Sequence, residues 1–226
     1  MKQFIFNDVS CKDVNVVVEE IYPLLEKAAI SAESQRDINN VNLEYTEFGY
    51  SNVESSLNLF ITDPSKLDII KFWLNGKGTL EYDNKVCQCA FFNSLKPVRS
   101  SSIYSMSVDF IRSPFWFKKE DPFVEVKGSI INEGNTSSDP IIKLVKQSSD
   151  YVELSINDVR FKYTFPNGEE YAEFDCFDAE ITYNGLNRNK NLEIDYLFPK
   201  INPGENIVKV FSGDAKIFIK RKDCWL

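Results

Sequence analysis

From Phe123 onward, apolar and polar residues alternate almost without a break. Val152, Leu154 and Ile156 alternate with Tyr151, Glu153 and Ser155, and Val159, Phe161, Tyr163 and Phe165 alternate with Arg160, Lys162 and Thr164. A period of two sends one set to a buried sheet face and the other to solvent. Between these runs lie Asn157 and Asp158, which tolerate positive φ and suit a tight hairpin. Further runs at Phe174, Ile181, Leu192 to Leu197, Ile207 to Phe211 and Lys216 to Lys220 are divided by Asn-Gly, Pro-Gly and Ser-Gly turn signals. Many short strands without a helix predict a two-sheet sandwich.

The first half is mixed. Phe4 to Phe6 and Val14 to Val18 are apolar bursts separated by a polar turn, and the β-branched run Val16 to Val18 is stiff and reads as strand. Leu24, Leu25, Ala28, Ala29 and Ala32 have helical spacing between strand-like runs, which predicts a loop or arm with weak helical tendency. A helix is expected over Pro64 to Asn75. Asp63 can cap its first turn, Pro64 fits the first helical position, and Gly76 suits a left-handed stop. Leu67, Ile70 and Leu74 line its inner face with Trp73 beside them, while Lys66, Asp68 and Lys71 face away. Strands follow at Thr79 to Tyr82, Val86 to Phe92 and Ile103 to Ile111, with a polar loop before the last. One helix on an antiparallel sheet, in a mostly β chain, is the economical reading.

The stretch Phe110 to Pro122 divides the chain. A strand with Tyr104, Met106, Val108 and Phe110 on one face runs into it, and Pro114 and Pro122 then interrupt regular structure. Phe115, Trp116 and Phe117 are too apolar for a bare linker, so this is read as a packed domain junction, with domains at 1–121 and 122–226.

Composition narrows the chemistry. The chain has 226 residues, 18 Phe and 10 Tyr, which favour sheet. No apolar run is long enough to span a bilayer and the start lacks a signal-peptide core, so synthesis in a cytoplasm without membrane insertion is expected. There is no histidine, which removes Ser-His-Asp and Cys-His catalysis and the commonest metal ligand. Cys11, Cys87, Cys89, Cys176 and Cys224 show no framework spacing and read as buried thiols. A net charge of −8 argues against gripping phosphates, and Lys220 to Lys222 reads as a solvated strand end. What remains is acidic: Glu169, Glu170, Glu173, Asp175, Asp178 and Glu180. Glu173 and Asp175 would stand about 7 Å apart on one strand face, though such alternation also describes a solvent-facing strand. No cofactor, metal or catalytic residue is expected.

Three stretches resemble the distal tail proteins of long-tailed bacteriophages. The first is Trp73-Leu74-Asn75-Gly76, leading to Leu80 and Asp83. The second is Met106 to Phe110 with Pro114, then Asn132-Glu133-Gly134 and Pro140. The third is Phe198-Pro199-Lys200-Ile201-Asn202-Pro203-Gly204-Glu205-Asn206, with Trp225 at the end. The family's Arg-polar-Gly loop is matched here by Arg36-Asp37-Ile38, a departure. The resemblance implies a ring-forming first domain and a galectin-like sandwich outside it. It further implies a hexamer at the virion tail tip, joining the tail tube protein to the tail-tip hub. Such a ring would hold receptor-binding proteins, conduct DNA without binding it specifically, and catalyse nothing. A carbohydrate-binding sandwich that recognises the host surface is the alternative.

Overall fold

The computed structural model describes residues 3–35, 44–92, 95–100, 103–194 and 197–226, with side chains of 32–48 and 100 left aside. The Arg36-Asp37-Ile38 loop and Asp195-Tyr196 fall outside them. The fold is mostly β with a single α-helix among the described residues. The chain forms two compact units, Met1–Lys119 with Leu226 and Glu120–Trp225.

In the first unit one antiparallel sheet runs, by neighbour, Val9–Ser10, Ile5–Phe6, Gly76–Tyr82, Lys85–Phe92, Ile103–Arg112, Val53–Ile61 and Val16–Val18. Trp116–Lys118 adds to the Lys85–Phe92 strand through Phe117 opposite Val86. The segment between Pro114 and Pro122 is thus partly strand, because its apolar residues find a ladder. Val98–Ser100 likewise pairs with Ile103–Arg112 where a loop was expected.

The helix is shorter than its pattern. Asp63 caps as expected, accepting from the Ser65 amide at 3.0 Å, but Pro64–Lys66 is a 3-10 turn and the α-helix is Leu67–Trp73. Gly76, at φ +83°, opens the next strand. Ile70, Trp73 and Leu74 are buried and Leu67 is half-buried. Trp73 fixes the helix to the sheet: its ring stacks on Phe4 at 5.5 Å and its Nε1–H donates to the Phe6 carbonyl at 2.8 Å. On the other side Ile69 and Phe72 are exposed, Phe72 by 85%.

The segment from Leu24 to Ala32 is a correction. Tyr22–Leu25 is a 3-10 turn, and Ile30–Gln35 is a strand paired with Glu44–Tyr50 in a separate two-stranded ribbon. Helical spacing lost there because Leu24 and Ala28 reach the core while Leu25 and Ala29 are exposed.

The second unit is a sandwich. One sheet runs Val124–Glu125, Ala215–Lys220, Ile141–Lys146, Tyr171–Asp175, Glu180–Tyr183, Leu186–Asn187; the other runs Ser129–Asn132, Gly204–Gly213, Tyr151–Ile156, Val159–Thr164, Leu192–Ile194. Leu144, Phe174 and Ile217 from the first sheet meet Leu154, Phe161 and Tyr163 from the second in one core. The alternation read from the sequence is this core, and Asn157 turns the hairpin at φ +52°.

Candidate assembly surface

Two constellations of buried polar groups stand out, one in each unit. In the first, Arg112 ends the central strand opposite Val53 and Cys89, and only 1% of it is exposed. Its Nε donates to the Leu24 carbonyl at 2.8 Å and Nη1 to those of Ser113 and Pro114 at 2.7 and 3.2 Å; Nη2 donates to the carbonyl of Glu26. The guanidinium also lies 5.4 Å from the Trp116 ring centroid. Burial lowers its pKa from the ordinary value, an effect opposed by nearby Cys87, Cys89 and Glu26. Burial also pushes both thiols up to about 12, so they stay neutral beside it.

This cluster sits at the root of the ribbon. Leu24 and Glu26 precede its first strand, the Ser51 amide donates to the Ala29 carbonyl at 2.9 Å, and Tyr50 meets Phe115 edge-on at 5.3 Å. Of the residues read as a junction, Trp116 is buried, Pro114 and Phe115 are half-buried, and Phe117 and Pro122 are exposed. Pro114, Phe115 and Trp116 all touch the ribbon root or the arginine that holds it.

In the second unit the residues that carried the family resemblance converge. Asn206 has no exposed surface. Its Oδ1 accepts from the Asn202 amide at 2.7 Å and Asn157 Nδ2 at 2.8 Å, and its Nδ2 donates to the carbonyls of Asn202 and Gly204 at 2.8 and 2.9 Å. All its hydrogen-bonding positions are used, three inside its own turn, whose bend needs Gly204 at φ +87°, and one by Asn157 of the neighbouring hairpin. Asn132 ties the second motif to this third one through the Ile201 carbonyl at 3.1 Å, while its Oδ1 accepts from the Gly134 amide at 2.7 Å. A Cβ on Gly134 would lie 2.2 Å from the Cys224 carbonyl oxygen, so glycine is required by space. Pro199 is buried, Phe198 packs half-buried against the core, and Pro203 is exposed. These residues hold turns.

The acidic stretch also has structural employment. Glu169, 5% exposed, pairs with Arg188; Glu173 pairs with Lys143 at 2.7 Å and Asp175 with Lys222 at 3.4 Å. Glu173 and Asp175, on the strand face read as solvent-facing, are half-buried. The Lys220 to Lys222 stretch is corrected too. Arg221 donates to the Ile131 carbonyl at 2.6 Å and pairs with Glu133 and Asp223, and Asp223 is fully buried. Among the described residues no three Cys, Asp or Glu side chains are grouped as a metal would need, and all five cysteines are buried free thiols.

Residues 133–225 match the family model of the siphovirus-type tail component, C-terminal domain. No curated protein matches the chain in sequence. Among solved structures, SPP1 Dit (gp 19.1), described as a paradigm of the hub adsorption apparatus in phages infecting Gram-positive bacteria, superposes with a TM-score of 0.73. That alignment covers 100% of both chains at 11% identity, and establishes a shared fold along the whole chain. A chain of the phage P2 baseplate in its activated conformation with Ca aligns over 98% of both chains at 11% identity. Its TM-score of 0.43 is too low to argue from.

Proposed function

We propose that this chain, a siphovirus-type tail component across its second half and a distal tail protein in fold throughout, is a structural protein of a phage tail tip. In this reading six copies close into a ring through their first units, and the sandwiches decorate it. The ring joins the tail tube to the hub and offers a platform for host-recognition proteins. The superposition on SPP1 Dit over the full length of both chains carries the proposal.

Two features of the first unit support assembly through it. A two-stranded ribbon alone is at best marginal in water, and the Ile30–Gln35 and Glu44–Tyr50 strands pair with no other strand among the described residues. Phe72 and Ile69 meanwhile expose apolar surface on the helix. The charge distribution suits a conduit that does not capture DNA. Residues 1–119 carry 13 Lys and Arg against 15 Asp and Glu, and residues 120–226 carry 13 against 19. Neither half has the basic excess that phosphate binding needs.

The sugar-binding alternative is weaker. Saccharides stack on open aromatic faces, yet on the sandwich's outer surfaces Arg160 lies 4.1 Å over the Phe211 ring and Lys143 lies 4.2 Å over that of Tyr171. Gold-labelled antibody raised against the purified chain should decorate the end of the tail in electron micrographs of the particle. Labelling of the capsid, of the tube along its length, or of no particle at all would refute the assignment.

A further inference from the structure

We infer that the Arg112 guanidinium is the pin that sets the direction in which the ribbon leaves the first unit, and thereby the contact one copy makes with the next. The second clause rests on the ring reading proposed above; the first does not.

The geometry is that of a clamp. Arg112 belongs to the middle of the sheet, where its backbone is held on both sides by Val53 and Cys89. Its side chain joins two separate segments, the Leu24 and Glu26 carbonyls before the ribbon and the Ser113 and Pro114 carbonyls before the aromatic stretch. A guanidinium is a rigid planar fork, so it cannot turn to follow one segment without losing the other. In a buried setting such charge-assisted bonds are strong and costly to leave unmade. The ribbon root is closed at the same place by the Ser51 amide on the Ala29 carbonyl and by Tyr50 against Phe115. Farther out, among the described residues, its two strands pair only with each other. Its direction is therefore decided at the root, and the root is decided by Arg112. Lysine cannot substitute: its ammonium is a single point on a flexible stem and reaches fewer of the four carbonyls.

The test is hydrogen exchange read by mass spectrometry on the full chain and on Arg112→Lys, with sedimentation run on the same samples. In the variant, amides of 30–35 and 44–50 should exchange about tenfold faster, equivalent to roughly 1.4 kcal/mol of local opening. Those of Val53–Ile61 and Ile103–Ile111 should hold their rates, and the assembled mass should fall to that of the monomer. Unchanged ribbon exchange, or equal acceleration across the sheet strands, overturns the pin, the latter by making Arg112 a general stabiliser. If the native protein never assembles, the ring reading fails while the exchange result still decides the pin. Should Arg112→Lys not fold, the Arg112 Nε–H proton of the native protein decides by NMR. Exchange as slow as that of the Val53–Ile61 amides supports a clamped fork, and exchange at the solvent rate overturns it.

Discussion

The side-chain amide of Asn132 donates to the carbonyl of Ile201 at 3.1 Å, bridging 69 residues of chain. The same carbonyl accepts the Ser138 amide at 2.9 Å, so one oxygen uses both lone pairs to hold two stretches together. Residues that mark the chain's likeness to tail proteins are thus joined physically. Their role is to lock turns at one end of the sandwich.

Asn206→Ala tests that lock. It removes two donated and two accepted bonds in a fully buried place. Leaving such groups unpaired should cost about 3 kcal/mol. For a domain of this size that lowers the melting temperature of the second unit by more than about 10 °C, measurable by calorimetry on the full chain. A shift under a few degrees would mean that water enters the turn and replaces the amide.

Gly134→Ala should destabilise through contact alone. The added carbon would sit 2.2 Å from the Cys224 carbonyl and 2.8 Å from its amide, both backbone atoms with little room to yield. Overpacking of this kind costs about 1–3 kcal/mol. Gly128→Ala, at φ +99° with open space around it, separates the two causes. If both variants melt alike, the close approach at Gly134 is not what matters.

Asp223 gives the second unit a pH dependence of definite sign. Burial raises its pKa above the ordinary 3.8, against the lowering effects of Arg221 and the Glu133 amide, while the Asp121 and Glu133 charges raise it further. Below the ordinary carboxylate range both folded and unfolded chains hold the proton, and Asp223 costs nothing. As pH rises through that range the unfolded chain ionises first, so stability declines until the raised folded value is passed. Asp223→Asn should therefore raise the melting temperature at neutral pH and leave it nearly unchanged in acid. A loss at neutral pH would show that the 3.1 Å pairing with Arg221 outweighs burial.

Residues 120–226 expressed alone should fold and stay monomeric. Their core is made within the unit from both sheets, and the tightest turns close on residues of the same unit. A well-dispersed NMR spectrum at the monomer's rotational correlation time checks both points. Self-association of this fragment would move the assembly contacts to the wrong half.

Much of this architecture is legible in the residues. Alternation marks the Tyr151–Ile156 and Val159–Thr164 strands because a half-buried sheet must separate apolar from polar by parity. Asp63 and Pro64 mark the helix start because the first-turn amides lack partners. Arg112 was missed for its charge, although parity pointed to it: it continues the face of Met106, Val108 and Phe110, which is the buried one. Asn206 likewise shares parity with buried Val208. In both cases the positions of hydrogen-bond partners distant in sequence decide whether a polar group can be buried, and no local pattern carries them. The ribbon was missed because Ile30, Ser31 and Ala32 pair with Glu44–Tyr50, a strand distant in sequence that their local pattern does not announce.

The central claim is that copies of this 26.1 kDa chain close into a ring of six. Sedimentation equilibrium of the purified full chain, with class averages from electron microscopy of the same sample, tests it most directly. The account predicts a particle of six times the monomer mass, with six-fold averages and an open centre. A monomer at every concentration, or a closed two-fold dimer, would contradict it.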